Sequence, residues 1–228
     1  MNEFIDVPLG VESAAARPEN RAVFVDLEDT LIANLHESVD PAAIAFLPLA
    51  LEGLRRLDAG GYALVVVTSQ PGLAAGRFSR AEFVALQHAV SQKVQREAGV
   101  ELTGFYTCPH APDAAGMPRC LCRRPAPGLL RQAARASQLD LARCWMVGAL
   151  LDDVEAGARA GCRGLLLDVG LESAWRLSPL RTPYGRVQNL MEAAALIAAA
   201  GLPDAGSDER PPPYAGRVNP SQHGGAAL

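Results

Sequence analysis

This chain has no long apolar run and no excess of positive charge. None of its apolar stretches approaches the roughly eighteen residues of a transmembrane helix, so we predict no membrane span. Glu3 and Asp6 stand where a signal peptide would have a basic segment before an apolar one. The formal net charge of -4 argues against a general nucleic-acid or membrane-surface binder, because both need a basic surface. We therefore expect a cytoplasmic protein.

Length and composition predict one well-buried domain. The chain has 228 residues, of which 49% are hydrophobic and 20% charged, as in an ordinary globular protein. We predict that residues 1–20 form a loose lead-in. Residues 201–228 are rich in proline, glycine and polar residues, which predicts a disordered tail. The folded domain then spans residues 21–200.

The five cysteines are odd in number and unevenly spaced, which suits a metal site in a reducing compartment better than a disulfide framework. Cys144 and Cys162 lie in apolar segments and are best interpreted as small buried side chains. The other three cluster with one histidine between residues 108 and 122, a donor set that suits a closed tetrahedral Zn²⁺ site: Cys108, His110, Cys120 and Cys122. The alternatives are incidental buried thiols or, with less support, a nucleic-acid-binding zinc module.

Short apolar runs alternate with longer Ala/Leu-rich helical patterns. This alternation predicts an α/β fold with a doubly wound parallel sheet, because strands buried on both faces are continuously apolar. A Ser79–Glu82 capping box marks one helix start. We predict strands at 22–26, 63–68, 104–107, 144–148 and 164–168, and helices at about 48–59, 79–98, 127–138, 152–160 and 190–199.

Polar residues lie at the carboxyl ends of the predicted strands, which is where doubly wound sheets bind their ligands. Asp26 directly follows an apolar run, and its carboxylate can attack a phosphorus atom. Glu28, two residues on, can protonate a leaving oxygen and then activate water. The alternative for Asp26 is an ordinary solvated carboxylate or a helix cap.

Further candidates suit a phosphate and a hard cation. Thr68 and Ser69 end the second predicted strand with hydroxyl groups that can hold phosphate oxygens. Arg123 and Arg124 add guanidinium groups, which match phosphate geometry, although ordinary surface charge is the alternative. Asp153 offers an oxygen ligand for Mg²⁺, or it simply begins a helix, where a carboxylate is favoured by the helix dipole.

Residues 20–170 resemble the haloacid-dehalogenase (HAD) superfamily phosphatases, in the subfamily of D-glycero-D-manno-heptose 1,7-bisphosphate and histidinol-phosphate phosphatases. The resemblance rests on the Cys-Pro-His…Cys-x-Cys-Arg-x-Pro-x-Pro-Gly loop of residues 108–128 and on the Thr68-x-Gln70-x-Gly72 segment. It implies a Rossmann-like sheet with an inserted structural zinc loop and Mg²⁺-dependent catalysis. It also implies roles for individual residues, namely Asp26 as nucleophile, Glu28 as acid/base, Thr68, Arg123 and Arg124 at the phosphate, Asp26, Glu28 and Asp153 at Mg²⁺, and Cys108, His110, Cys120 and Cys122 at zinc.

The chain departs from the family pattern at several of these places. The family has aspartate where Glu28 stands, and the extra methylene moves the carboxyl by about 1.5 Å. A displacement of about 1 Å can cost on the order of a hundredfold in rate. Asp29 replaces a glycine, and Leu150 replaces a lysine. Ala149 replaces a Mg²⁺-ligating aspartate, which is the most damaging change because it removes a full negative charge from the metal site.

The leading hypothesis is a phosphatase that hydrolyses a small phosphomonoester, such as D-glycero-D-manno-heptose 1,7-bisphosphate, through an aspartyl-phosphate intermediate. The main alternative is a catalytically impaired relative that binds a phosphorylated metabolite or a protein partner. A weaker alternative is a phosphatase for histidinol phosphate or a nucleic-acid end. We expect a monomer with a small phosphorylated substrate and with neither a nucleic-acid nor a membrane partner.

Overall fold

The computed structural model describes residues 5–6, 20–33, 39–172 and 175–201. Apart from a few residues, the predicted lead-in and tail lie outside this part of the chain, so both stay predictions. Within it, no helix combines the length and the apolar character that a membrane span requires.

Seven strands form one sheet in the spatial order β1-β4-β3-β2-β5-β6-β7. The six strands from β2 to β7 are parallel, and β1 is antiparallel to β4 at one edge. This confirms the predicted parallel sheet. The strands are β1 (Ile5–Asp6), β2 (Ala22–Asp26), β3 (Ala63–Ser69), β4 (Gly104–Cys108), β5 (Trp145–Gly148), β6 (Arg163–Leu167) and β7 (Gly185–Val187).

The five predicted helices are present with ends shifted by up to two residues. Ser79 caps α3 through the predicted box, in which its hydroxyl accepts from the Glu82 amide and the Glu82 carboxylate accepts from the Ser79 amide. A short additional helix follows β3. The helices are α1 (Ala50–Ala59), α2 (Pro71–Ala74), α3 (Arg80–Ala98), α4 (Gly128–Ala136), α5 (Leu151–Ala160) and α6 (Leu190–Ala200).

The sheet separates two apolar layers, as the unbroken apolar strands predict. Val23 and Val25 of β2 pack on one face with residues of α1, α3 and α6. Phe24 points to the other face, where it packs with residues of α4 and α5. Every residue of β2 and β3 is buried. Cys144 and Cys162 are buried on the α4 face, as predicted.

The chain reverses its winding direction beside β2. From β2 it continues to β3 and β4 on one side, and then returns to β5, β6 and β7 on the other. The carboxyl ends of β2 and β5 therefore flank the crevice in which a doubly wound sheet binds its ligand. Asp26 is the last residue of β2, and Gly148 is the last residue of β5.

Candidate functional site

Asp26 lies at the centre of this crevice. It ends β2 with only 3% of its surface exposed. Its Oδ2 atom accepts a hydrogen bond from Arg124 Nη1 at 2.8 Å. Its Oδ1 atom is buried and has no hydrogen-bond partner among the described residues. A buried polar atom without a partner is costly, so this oxygen is suited to a ligand that brings a cation or a donor.

Arg124 joins Asp26 to Asp153. The same Nη1 atom donates to Oδ1 of Asp153, a fully buried residue in the first turn of α5. The Asp153 Oδ2 atom accepts from the Leu150 amide at 3.1 Å. Gly148 leaves room for this carboxyl, because a Cβ atom at position 148 would lie 2.3 Å from the Asp153 carboxyl carbon. Three residues distant in sequence thus form one buried charge cluster, namely Asp26, Arg124 and Asp153.

The electrostatics of this cluster favour an added cation. Burial raises the pKa of Asp26 from 3.8 to about 8, although the Arg124 charge opposes the rise. Burial acts to lower the pKa of Arg124, but the Asp153 and Asp26 carboxylates outweigh it and raise that pKa above its usual value. Two carboxylates and one guanidinium carry a net charge of about -1 when all are ionised. A cation would offset that surplus and favour the ionised form of Asp26.

Glu28 lies close enough for its charge to contribute to the raised pKa of Asp26. It follows Asp26 in a tight loop in which the Leu31 and Ile32 amides both donate to the Leu27 carbonyl. Asp29 adopts a left-handed backbone with φ of 56°, a conformation that aspartate tolerates better than most residues. Aspartate can therefore occupy the position at which the family has glycine.

Hydroxyl groups gather at the ends of β2 and β3. Thr68 and Ser69 end β3 directly beside β2, and both are buried. The Thr68 hydroxyl accepts from the side-chain amide of Gln70 (Nε2) at 3.1 Å, which leaves its own proton to donate. Ser69 Oγ and Thr30 Oγ1 are buried and, within the described ranges, have no hydrogen-bond partner. Such donors suit the oxygens of a phosphoryl group, and Thr30 was not predicted as a binding residue.

Arg123 points elsewhere. Its Nη1 atom donates to the His110 carbonyl at 3.4 Å, and its amide donates to Cys120 Sγ at 3.3 Å. These contacts tie Arg123 to the cysteine-rich loop, whereas its neighbour Arg124 contacts both buried carboxylates. The predicted role of Arg123 at a substrate phosphate stays a prediction.

The predicted zinc ligands come together as one cluster. The ligand atoms of Cys108, His110, Cys120 and Cys122 all lie within 4.8 Å of one another. The three sulfur pairs are separated by 3.2–3.6 Å. Zn–S bonds of about 2.3 Å in a tetrahedron place sulfur atoms about 3.8 Å apart, so the three sulfur atoms need to move apart by only a few tenths of an ångström to hold Zn²⁺. The donor set therefore fits zinc.

The hydrogen bonds among the thiols of this cluster favour a thiolate, which is the form that binds a metal ion. The hydrogen bond from Cys122 lowers the pKa of Cys108 to about 5, and the same bond raises the pKa of Cys122. A bound Zn²⁺ would displace the remaining thiol protons, because its ligands are thiolates. With Zn²⁺ bound, the protein would supply all four tetrahedral ligands and leave no position for water, which is the arrangement of structural rather than catalytic zinc sites.

The cysteine-rich loop is anchored at the same edge of the sheet as Asp26. Cys108 ends β4 opposite Ser69 of β3, and the Gln70 amide donates to the Cys108 carbonyl at 2.8 Å. The loop closes where the Gly128 amide donates to the Leu121 carbonyl and α4 begins. Arg124 lies on this short return segment, so the loop positions the residue that bridges Asp26 and Asp153.

The residues around Asp26 fit a magnesium ion only in part. Mg²⁺ in phosphate-handling sites takes one or two carboxylates and completes its shell with phosphate and water. Asp26 supplies one buried oxygen without a partner. Ala149 directly follows β5, has 3% of its surface exposed and offers no side-chain oxygen. The predicted effect of Ala149 on metal binding stays a prediction.

Comparison with known proteins agrees with this geometry. A family model for HAD-hydrolase-like proteins matches residues 121–193. The D-glycero-beta-D-manno-heptose-1,7-bisphosphate 7-phosphatase of Haemophilus ducreyi is 35% identical over 152 residues, covering 64% of this chain and 82% of that protein. The protein of the same name from Helicobacter pylori is 30% identical over 175 residues, covering 76% of this chain and 94% of its own.

A solved structure extends the similarity to three dimensions. The D,D-heptose 1,7-bisphosphate phosphatase of B. bronchiseptica, complexed with magnesium and phosphate, matches with a TM-score of 0.63 and 27% identity. The match covers 79% of this chain and 99% of that one. Sequence relatives and fold thus agree, and the chain belongs to the HAD-like phosphatase family, in the group of the heptose-1,7-bisphosphate phosphatases.

Proposed function

We propose that this chain is a phosphatase for a small sugar phosphate, with D-glycero-D-manno-heptose 1,7-bisphosphate as the leading substrate. The observation that carries the proposal is the buried Asp26 carboxyl at the winding reversal of the sheet, with one oxygen unpartnered in the described structure and the other held by Arg124. The names of the sequence relatives support the substrate class.

The chemistry follows from the order of groups along the loop. The Asp26 carboxylate attacks phosphorus, and the bond from phosphorus to the sugar oxygen breaks while Glu28 gives that oxygen a proton. Glu28 then removes a proton from water, which attacks the aspartyl phosphate and releases inorganic phosphate. Arg124 holds Asp26 in place throughout, and the Thr68 and Ser69 hydroxyls donate to the phosphoryl oxygens.

Metal ions complete the proposal. Asp26, Glu28 and Asp153 are the residues proposed to hold Mg²⁺. When bound, Mg²⁺ supplies positive charge that stabilises the phosphoryl oxygens in the transition state. Zn²⁺ is proposed at Cys108, His110, Cys120 and Cys122, where it would fix the loop that carries Arg124.

A second candidate function is binding of a phosphorylated ligand without turnover. The buried Ala149 favours it, because position 149 brings a methyl group where the family supplies a metal-binding carboxylate. Glu28 favours it as well, since its longer side chain displaces the proposed acid/base group. Domain bounds of 21–200, a monomeric state, cytoplasmic location and the lack of nucleic-acid and membrane partners stay predictions.

Phosphate release from the full-length protein tests the proposal. Zinc-loaded protein with Mg²⁺ is expected to release phosphate from heptose 1,7-bisphosphate, and Asp26→Asn is expected to abolish that release. Glu101→Gln is the matched control, because Glu101 is an exposed carboxylate away from the crevice. Absence of turnover from folded protein with Mg²⁺, Mn²⁺ or Co²⁺ would reject the phosphatase and favour the binding function.

A further inference from the structure

The loop that carries Glu28 is held by a second segment of the chain. Residues 27–33 form this Glu28 loop, and residues 44–47 form the support segment beside it. Ile32 of the loop makes a parallel bridge with Glu28 and an antiparallel bridge with Phe46 of the support segment. Two amide-to-carbonyl hydrogen bonds flank the second bridge, from Ala33 to Ala45 at 2.9 Å and from Leu47 to Leu31 at 3.1 Å. The position of Glu28 therefore depends on where the support segment lies.

Lys93 of α3 contacts the support segment at two points. Its Nζ atom donates to the Ile44 carbonyl at 2.7 Å and lies 5.7 Å from the centre of the Phe46 ring. A cation at this distance over a ring is attracted by the negative charge of its face. The Glu97 carboxylate, one turn further along α3, lies 4.0 Å from the same ammonium group. A single ammonium group thus ties the support segment to a helix.

Helix α3 is a firm base for this contact, because its apolar side chains are buried in the main core, namely Phe83, Leu86, Val90 and Val94. Ile44 is buried in the same core and also helps to hold the support segment. Apolar contacts are non-directional, however, whereas the hydrogen bond from Lys93 fixes the place of one backbone oxygen. Because its donor is charged, this bond is also stronger than one between neutral groups.

We propose that Lys93 is a positioning residue that fixes the Glu28 loop through the support segment. Loss of the ammonium removes a charged donor from the Ile44 carbonyl and a cation from the Phe46 ring. The two backbone hydrogen bonds between the loop and the support segment then open more often. The consequence for catalysis rests on the proposed function, in which Glu28 gives a proton to the leaving sugar oxygen. That transfer needs the carboxyl within hydrogen-bond reach of the oxygen, so a looser loop slows it.

Amide hydrogen exchange of full-length, zinc-loaded protein tests the contact without any turnover. Lys93→Met keeps the length of the side chain and loses the charge, so the Ala33 and Leu47 amides are expected to exchange about tenfold faster than in the wild type. The amides of β3 should exchange as in the wild type, because the opening is local. Lys93→Arg keeps a cation and is expected to restore most of the protection. Arg96→Met is the matched control, since it removes a cation from an exposed position of the same helix.

The leaving group separates the positioning of Glu28 from a general loss of structure. A sugar oxygen needs a proton in order to leave, whereas p-nitrophenolate leaves readily without one. The ratio kcat/KM covers the steps up to the transfer to Asp26, so the later action of Glu28 on water does not enter it. Lys93→Met is expected to lower kcat/KM about tenfold for heptose 1,7-bisphosphate and by no more than about twofold for p-nitrophenyl phosphate. In a Glu28→Gln background the same substitution should cause no further loss.

Lys93 is the only lysine of the chain, which allows a test on protein that is already folded. The N-hydroxysuccinimide ester of acetic acid transfers its acetyl group to the Lys93 amine, which loses a proton as N-hydroxysuccinimide leaves, and the amide formed has no charge. The acetylated wild type is expected to show the same faster exchange as Lys93→Met. Lys93→Arg treated in the same way controls for acetylation of the terminal amino group.

Unchanged exchange of the Ala33 and Leu47 amides after acetylation would overturn the inference, even if Lys93→Met fails to fold. An equal loss of kcat/KM for the two substrates would also overturn it, because a general defect does not depend on the leaving group. Absence of turnover by the wild type would instead reject the proposed phosphatase. The exchange measurements would still decide whether Lys93 holds the Glu28 loop.

Discussion

Replacing Asp26 by asparagine should make the folded protein more stable at pH 8, although it removes an ion pair. An unfolded aspartate ionises near pH 3.8, whereas burial raises the pKa of Asp26 in the folded state to about 8. Between these pH values the folded protein holds the extra proton, so its stability falls as the pH rises. Asparagine occupies nearly the same volume, cannot ionise, and keeps one oxygen that can accept from Arg124.

The stability gained by Asp26→Asn can be estimated from the raised pKa of Asp26. Each tenfold change in proton affinity corresponds to about 1.4 kcal/mol, so the three pH units between pH 5 and pH 8 set an upper limit of about 4 kcal/mol. Charges in proteins are screened as if the effective dielectric constant were about 20, and we therefore expect a gain of about 1–3 kcal/mol. The gain should be smallest at pH 5 and largest at pH 8.

Urea denaturation of zinc-loaded protein at both pH values measures this difference, in buffer free of phosphate and of other divalent cations. Glu101→Gln is again the control, since the removal of an exposed carboxylate should leave the free energy of unfolding nearly unchanged at both pH values. An Asp26→Asn variant less stable than the wild type at pH 8, or a stability gain that did not grow with pH, would show that the buried Asp26 carboxyl does not destabilise the fold when it ionises.

Two further predictions concern the groups that hold this cluster in place. Gly148→Ala should lower the activity, and it should lower the free energy of unfolding by about 2 kcal/mol or more. The reason is that the new Cβ atom would lie 2.3 Å from the carboxyl carbon of buried Asp153 and would displace that carboxyl. Unchanged phosphate release and an unchanged unfolding midpoint would contradict this prediction. Cys120→Ser should reduce the amount of bound zinc and speed proteolytic cleavage of the 108–128 loop. The control Cys162→Ala, outside the cluster, should retain the metal. An unchanged zinc content in Cys120→Ser would show that the cluster is not the metal site.

Much of the fold could be predicted because its signals are local. Continuous apolar runs indicated the five central strands, and the spacing of Ser79 and Glu82 indicated where α3 begins. β1 and β7 were missed because two and three residues are too few to show a periodic pattern. The four residues of the Cys/His cluster could be predicted to lie together for the same reason as the central strands, because their types and their spacing along the chain are local signals.

The site could be predicted only in its parts. Adjacent arginines look alike in a sequence, and only the path of the folded loop decides that Arg124 reaches the carboxylates while Arg123 contacts the His110 carbonyl. The hydroxyls of Thr30 and Ser69 are buried and have no hydrogen-bond partner among the described residues. The sequence could not predict this, because the residue type alone does not tell whether a threonine or serine is buried. Both carboxylate oxygens of Asp153 accept hydrogen bonds, which the sequence could not predict. One of the two donors is the Leu150 backbone amide, and every residue except proline has such a group.

Trapping of the covalent intermediate would identify the carboxylate that attacks phosphorus. Protein mixed with substrate and Mg²⁺ is quenched, reduced with borohydride, which converts an aspartyl phosphate to homoserine, and analysed by peptide mass spectrometry. We expect homoserine at position 26 in the wild type and none in wild-type protein that receives no substrate. Turnover with homoserine at another position, or with no homoserine formed at all, would contradict the role of Asp26 as nucleophile.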